Sequence, residues 1–511
     1  MSFSLLTPLR VDPASLDTSK VGYFRYGVVD GRVLLTNDGG EYHVLDQPDF
    51  ARFLRGAVEP SEPLHDELAR KGFLKGYLDV DRLAARIRRK KAFLGAGPHL
   101  HIVVATLRCN HACKYCHASR TDMDRVDTDM SLATARQVVD FAMASPSPVV
   151  NFEFQGGEPT VNFPVLKFIV DYALEKNRYE NREILFSLVT NLTLMDEEKL
   201  AWLVEKGVMV CTSLDGPEDL HNANRGWIGK TSSFATVTGW MDRFNAAYVA
   251  RGLDPHLFHV DALMTTTRAS LKRGREIVDL YVEKGIKSIH LRPLNPFGFA
   301  THTWKQIGYS MDEFLDFYQE TFEYILQLNA QGVFIQERMA GMFLTKMLTA
   351  DDPNYTDCRS PAGSGQAQLA YNYDGAIYTC DEGRMAAHMG DELFRIGHVA
   401  RSTWAEVTGH PTIKALAVAS IQDALPACST CVFKPSCGIQ PIHNYKFDGN
   451  FFGQRPVSRK CQEFFGLQRL LYSKLINDTD GRVERIFRRW TIQRARPGTI
   501  PWPDAPVEGA T

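Results

Sequence analysis

The chain has 511 residues, of which 44% are hydrophobic and 23% charged, with a formal net charge of −2. That length accommodates about two to four domains, the composition is that of an ordinary globular protein, and the near-neutral balance excludes a nucleic-acid partner held mainly by electrostatics. No apolar run reaches membrane-spanning length, and residues 1–20 lack the basic-then-apolar order of a signal peptide, so no membrane association is expected and the cytosol is the expected compartment.

In chain order, residues 22–28 and 32–36 alternate in polarity around Asp30-Gly31, a strong hairpin signal. Residues 41–45 supply a further strand, and helical periodicity follows at 49–55, 64–71 and 79–93. An opening α+β unit of residues 1–95 is expected. The basic run of Arg86, Arg88, Arg89, Lys90 and Lys91 reads as a solvated helix end leading into the glycine hinge at 95–98.

From Pro98 onward, strand-like runs (99–106, 149–155, 183–191, 208–214, 257–264 and 288–294) alternate with amphipathic ones (132–143, 164–175, 197–206, 234–250, 271–284 and 311–331). Six such repeats predict an α/β fold, an open and partial β/α barrel with parallel strands. Chemistry in such folds gathers in the loops at the carboxyl ends of strands. Each motif found here lies at such an end.

After the first strand comes LRCNHACKYCHAS, which sets Cys109, Cys113 and Cys116 in C-x3-C-x2-C spacing. Three thiolates from one loop hold three irons of a cubane and leave the fourth open to a small molecule. Zinc, with His111 or His117 as its fourth ligand, is the alternative. After the second strand, Gly156, Gly157, Glu158 and Pro159 form a GGEP turn whose glycines permit close backbone approach. Thr190-Asn191-Leu192-Thr193 follows the third strand, and Ser213-Leu214-Asp215-Gly216-Pro217, with His221 and Arg225, follows the fourth. Cys211, within the fourth strand, reads as a buried inert thiol. Leu291-Arg292-Pro293-Leu294 ends the sixth.

From Asp357 the texture changes to turns and short strands. Cys358, Asp374-Gly375 and Cys380 precede Cys428-x2-Cys431-x5-Cys437 and then Cys461. Without a secretion signal, ten cysteines clustered in this way read as metal ligands rather than as a disulfide framework. A structural zinc knot remains open for the last four. Residues 483–496 are basic, with Ile486, Phe487 and Trp490 at helical spacing for docking onto the body. Pro497, Pro501, Pro503 and Pro506 mark a flexible tail.

The first cysteine motif, with Tyr115 before its last Cys, together with GGEP, resembles the radical S-adenosylmethionine (SAM) superfamily. The second cysteine field resembles the SPASM domain of peptide-modifying members, sulfatase-maturing enzymes among them. YFRYG (23–27) and LLTNDGGEYHVL (34–45) further look like the maturases of His-Xaa-Ser peptide systems.

The resemblance implies a (β/α)6 radical SAM barrel at 96–340, a SPASM domain at 355–475 and a basic helix with a Pro-rich tail at 476–511. It implies a catalytic [4Fe–4S] cluster on Cys109, Cys113 and Cys116, whose open iron chelates SAM so that one electron releases a 5′-deoxyadenosyl radical. SAM contacts are implied for Tyr115, Gly156, Gly157, Glu158, Asn191, Ser213, Arg225 and Leu294. Cys428, Cys431, Cys437 and Cys461 are implied to hold one auxiliary [4Fe–4S] cluster. Cys358 and Cys380 begin another, but the pattern's further cysteines are replaced here by Pro441 and Ser364. Asp381 matches the proton-accepting carboxylate of the sulfatase-maturing relatives, and adjacent Glu382 competes for that role.

The resemblance also implies a peptide or protein substrate that is cross-linked, oxidised or epimerised, and an electron donor such as flavodoxin or ferredoxin. The opening unit then either holds a leader peptide by strand addition or caps the bottom of the barrel. A radical enzyme acting on a small metabolite and a non-catalytic, zinc-stapled binding protein are the competing readings.

Overall fold

The computed structural model describes residues 12–230 and 232–491. Near its start, β1 (Arg25–Val29), β2 (Arg32–Thr36) and β3 (Tyr42–Leu45) form an antiparallel sheet. The β1–β2 turn works because Asp30 and Gly31 both adopt positive φ, 49° and 77°, matching the strand twist. Helices Gln47–Leu54, Pro63–Arg70 and Val80–Lys90 complete the unit, the first and third begun by the side chains of Asp46 and Asp79. One sheet face, Val33 and Leu35, packs on Phe50, Phe53 and Leu68. The other, Val29 and Leu34, belongs to the main core with Phe433 and Tyr472.

This unit is lashed to the C-terminal cysteine segment. The Arg25 Nε donates to Ser429 O at 2.6 Å, and the Thr36 hydroxyl to Val432 O at 2.7 Å. The basic run departs from the solvated helix end expected of it. Lys90 donates to the carbonyls of Lys346 and Thr349, Lys91 to that of Ser360, and Arg89 pairs with Asp351. Burial, with the Lys346 charge, lowers both Lys90 and Lys91 to about 8. The run ends against carbonyls that no helix or sheet has claimed, which its spacing alone does not show.

The central sheet contains β4 (Leu100–Thr106), β6 (Val149–Gly156), β7 (Glu183–Val189), β8 (Met209–Ser213) and β10 (Asp261–Leu263), all parallel, in the order β10-β8-β7-β6-β4. Two short strands, β5 (His111–Cys113) and β9 (Arg225–Trp227), form a separate ribbon above it. Outward residues such as Val150, Phe152, Phe154 and Phe186 are buried under the helices. Inward ones, Asn151, Glu153, Gln155, Cys211 and Ser213, are half-buried and line a polar lumen. Cys211 therefore faces the lumen instead of lying in the core as expected.

The fifth and sixth strands are shorter than their spacing predicts. Asp254 accepts the backbone N–H groups of His256, Leu257 and Phe258, turning the chain before β10 can start. The sixth, β11 (Ser288–Ile289), pairs in parallel with β12 (Gln336–Glu337) and stops before Pro293, which has no N–H to give. Across the sheet, β13 (Gln368–Tyr371) adds in parallel to β4, and β14 (Ala376–Tyr378) and β15 (Arg395–His398) follow antiparallel. The region expected as a separate C-terminal domain thus extends the barrel sheet.

Helix Arg482–Trp490 buries Phe487 and Trp490, the latter edge-on to Phe322 at 5.8 Å. Arg494, Arg496 and the prolines of the predicted tail lie outside the described residues, as do residues 1–11. Among the described residues no helix is long and apolar enough to cross a membrane.

Candidate functional site

The cysteine loop leaves β4 and is held on three sides. At its base, Arg108 clamps Asp129, with Nε donating to Oδ1 at 2.9 Å. On one flank, β5 pairs with β9 so that Cys113 stands opposite Arg225. On the other, the Phe299 N–H donates to Cys116 O at 2.8 Å, and a Cβ on Gly298 (φ 56°) would meet the same oxygen at 2.8 Å. The Cys109 sulfur accepts from the His111 N–H at 3.4 Å.

The three thiols lie within reach of one another's charge. Burial raises Cys109 and Cys113, with Arg225 acting in the opposite direction on Cys113. A pocket that resists free thiolates at Cys109 and Cys113 suits a cationic iron cluster, which supplies the missing positive charge. Among the described residues no three Cys, His, Asp or Glu side chains converge as ligands of a single ion would. A cubane asks for a looser arrangement, one sulfur per iron.

The GGEP turn is glycine-rich because the cysteine loop crosses it. The Gly157 N–H donates to Thr106 O and the Glu158 N–H to Arg108 O. A Cβ on Gly156 would lie 2.3 Å from Thr106 O, and one on Gly157 2.3 Å from Arg108 O. The buried Glu158 carboxylate is committed to protein donors: Thr160 N at 3.1 Å, Thr160 Oγ1 at 2.5 Å, Thr190 Oγ1 at 2.7 Å and Asn191 N at 2.7 Å. It clasps the second strand's loop to the third's. Replacing Glu158 with Ala orphans these donors and should cost roughly 3 kcal/mol of stability, read as a lowered denaturation midpoint; Glu158→Gln, which still accepts, should lose less.

Asn191 donates to Asn110 Oδ1 at 2.9 Å and approaches the Cys109 sulfur at 3.9 Å. Leu192 adopts φ 60° with its side chain wholly buried. Burial of that side chain offsets the roughly 1–2 kcal/mol of left-handed backbone.

Tyr115, Asp215 and Arg225 form one buried network. The Tyr115 hydroxyl stands 2.8 Å from both Asp215 carboxylate oxygens and accepts from Arg225 Nη1 at 2.8 Å. Around it, Arg225 Nε, both ring nitrogens of His111, His221 Nδ1 and Asn224 Nδ2 are buried without a partner. Such a row of orphaned polar atoms is costly in an empty site and fits a polar ligand carrying a carboxylate. Ser213 ends β8 just before this network, and Leu294 is buried in the loop after β11, its N–H on Tyr309 Oη at 2.6 Å.

Asp381 begins helix Asp381–His388 and accepts from Arg384 Nε at 2.9 Å, with Nη2 in the same ion pair at 2.8 Å. Arg384 Nη1 reaches Ala118 O at 3.2 Å, tying this helix to the cysteine loop. Glu382 instead lines a cavity shared with His290, Arg292 and Asp357; burial, then the charges of Asp357 and Asp381, raise its pKa. Arg384 and Asp215 escape sequence reasoning. A basic residue three after an acid on a helix, and the acid of a DGP turn, are too common to single out.

The second cysteine field divides. Cys428, Cys431, Cys437 and Cys461 lie within one another's electrostatic reach, and burial raises all four, Cys431 and Cys461 to about 12. The Arg455 charge acts against that rise at Cys428, Cys437 and Cys461. This donor set fits a cluster. Cys358 joins its edge beside Cys437, with Lys346 Nζ bridging Cys358 O at 2.5 Å and Cys437 O at 3.2 Å. Cys380 faces elsewhere, among Ala386, Phe394, Leu416 and Ile442. The pair does not assemble a further four-sulfur set. Cys431→Ser should remove about four irons per chain, whereas Cys380→Ala should leave the iron content unchanged.

Residues 103–251 match the Radical SAM superfamily, so the chain carries a radical SAM domain. It is homologous to the cysteine-type anaerobic sulfatase-maturating enzyme of Clostridium perfringens, 27% identical over 213 residues, 40% of this chain and 52% of that protein. An uncharacterized protein of Methanothermobacter thermautotrophicus is 28% identical over 200 residues, 38% of this chain and 67% of that one. The chain spans about half the length of the Clostridium relative.

In fold, it is similar to native anSMEcpe with bound AdoMet (TM-score 0.59, 18% identity, 76% of this chain and 99% of that one). It is also similar to Streptococcus suis SuiB bound to precursor peptide SuiA (TM-score 0.50, 15% identity, 86% and 100%). The family implies an iron–sulfur cluster and SAM.

Proposed function

We propose that this chain is a radical SAM maturase that oxidatively modifies a ribosomally made peptide or protein. The observation that carries the reading is a loop locked by Gly157 and Gly298 that sets three cysteines within reach of one another's charge, facing an incompletely partnered Arg225. Cys109, Cys113 and Cys116 would hold the catalytic cluster. With SAM, that cluster supplies a hydrogen-abstracting 5′-deoxyadenosyl radical.

Arg225 and Ser213 take the SAM carboxylate. Gly156 and Gly157 offer backbone to its amino group, Asn191 faces the ribose, and Tyr115 and Leu294 flank the adenine. Glu158 serves as the clasp that keeps these loops in register. Asp381, oriented by Arg384, or Glu382 in the adjoining cavity receives the substrate proton. Cys428, Cys431, Cys437 and Cys461 would hold one auxiliary cluster that relays an electron, delivered from a donor of the flavodoxin or ferredoxin kind in the cytosol. Homology to a sulfatase-maturating enzyme and the fold shared with a peptide-bound structure support a peptide substrate.

The test is anaerobic reconstitution with SAM, a reductant and the short peptides encoded beside this gene. The reading expects 5′-deoxyadenosine together with a mass change in one peptide. Formation of 5′-deoxyadenosine with every peptide unchanged would redirect it to a small metabolite.

A further inference from the structure

Lys346 is a lysine inside the fold. It lies in the last turn of helix Arg338–Leu348 and is only 7% exposed, so water screens its ammonium little. A buried ammonium needs acceptors for its three donors, and the second cysteine field supplies them. Lys346 Nζ donates to Cys358 O at 2.5 Å and to Cys437 O at 3.2 Å, and it approaches the Cys358 sulfur at 4.0 Å. One ammonium reaches both carbonyls because Gly438 lets the two backbones touch. A Cβ there would lie 2.4 Å from the Cys358 carbonyl carbon, and the Ile439 N–H donates to Arg359 O at 3.3 Å. From the opening unit, Lys90 Nζ donates to Lys346 O at 2.7 Å and holds this helix end in place.

Lys346 also pairs with Asp352 at 3.9 Å, but that carboxylate is shared with the buried Arg359 at 3.6 Å. Two cations around one anion leave the locus with a net positive charge, fixed beside Cys437.

Cys437 belongs to the donor set that fits the auxiliary cluster. Backbone bonds from the Cys431 N–H to Cys428 O at 3.1 Å and from the Cys437 N–H to Lys434 O at 3.2 Å fold residues 428–437 into a tight loop. The Ser436 hydroxyl donates to Gln468 Oε1 at 2.6 Å, which ties this loop to helix Arg459–Ile476, the carrier of Cys461. Arg455 is another cation at this set, but it is only half-buried, so solvent screens more of its charge. A cubane on four thiolates is anionic, and uptake of one electron adds a further negative charge. The potential of such a cluster follows the charge and hydrogen bonds around it, and a fixed, buried cation beside one ligand favours the reduced form.

We propose that Lys346 is a positioning residue that sets the reduction potential of the auxiliary cluster, raising it through its buried charge. The proposal rests on the maturase reading and gives its auxiliary centre a direction. A raised potential favours acceptance of the one electron that an oxidised substrate must give up.

The test is a redox titration of the full, anaerobically reconstituted chain with dithionite and mediators, followed by electron paramagnetic resonance. It is run in a Cys113→Ala background, where about four irons should remain and only the auxiliary cluster should titrate. Lys346→Gln keeps a hydrogen-bond donor and removes the charge. It should move the one-electron equilibrium about tenfold toward the oxidised form, a fall of about 59 mV, and by no less than about threefold. Asp352→Asn removes the opposing charge and should move it the other way. A shift below threefold in Lys346→Gln, a rise in its potential, or the same direction of shift in both variants overturns the proposal, since loosened packing does not reverse sign with charge. If Lys346→Gln fails to retain its iron, Asp352→Asn decides: a raised potential supports the proposal, and an unchanged or lowered one overturns it. Absence of those four irons from the Cys113→Ala parent would overturn the auxiliary-cluster reading and this proposal with it, and iron analysis tells that failure apart from a misassigned Lys346.

Discussion

Replacing Cys113 with alanine is expected to remove about four of about eight irons per chain and to abolish SAM cleavage. The thiol lies between the two other cysteines of its loop and directly opposite Arg225 in the β5–β9 ribbon. Alanine keeps the backbone pairing, so the fold should survive while one corner of the cluster is lost. Iron and sulfide analysis, beside the circular dichroism spectrum, checks both halves. Iron content equal to that of the parent would mean that the loop is not the catalytic cluster's home.

The second large effect is expected at Arg225. Its Nη1 is held by Tyr115, whose hydroxyl is held in turn by Asp215, while Nε is buried with no partner. This leaves the free edge of a fixed guanidinium turned toward the expected SAM carboxylate. Arg225→Met removes the charge but keeps most of the volume, and should weaken SAM binding by roughly 30- to 1,000-fold, the 2–5 kcal/mol typical of a broken buried charge pair. Arg225→Lys should recover only part, because an ammonium cannot donate in a fork. Dialysis of labelled SAM measures this without turnover. A change of less than threefold in Arg225→Met would sink the assignment.

Much of this architecture can be read from the residues. The Asp30-Gly31 turn is legible because two adjacent positive φ values demand such residues. The strand-end placement of the cysteine loop and of GGEP follows from parallel β/α order. The reason for the glycines is less legible. They were expected to admit a ligand, yet the nearest atoms are the carbonyls of the cysteine loop itself. Glu158 is similar, since only the folded chain shows that four donors surround it.

What stays hidden is long-range. The pairing of β13 with β4 joins residues more than 250 apart in sequence, and no local pattern announces it. Nor does a run of Arg and Lys reveal that Lys90 and Lys91 end on the distant carbonyls of Lys346 and Ser360. That docking also changes how the opening unit must be tested. Deleting residues 1–90 would bare Phe433 and Tyr472 beside the auxiliary cysteines, so lost peptide binding in the truncated chain would not by itself prove leader docking.

The most direct test of the account is to mix the anaerobically reconstituted wild-type chain with SAM and a one-electron reductant and to quantify 5′-deoxyadenosine alongside bound iron and zinc. The account predicts about eight irons per chain and 5′-deoxyadenosine that disappears in Cys113→Ala. Zinc without iron, and SAM recovered intact, would contradict it.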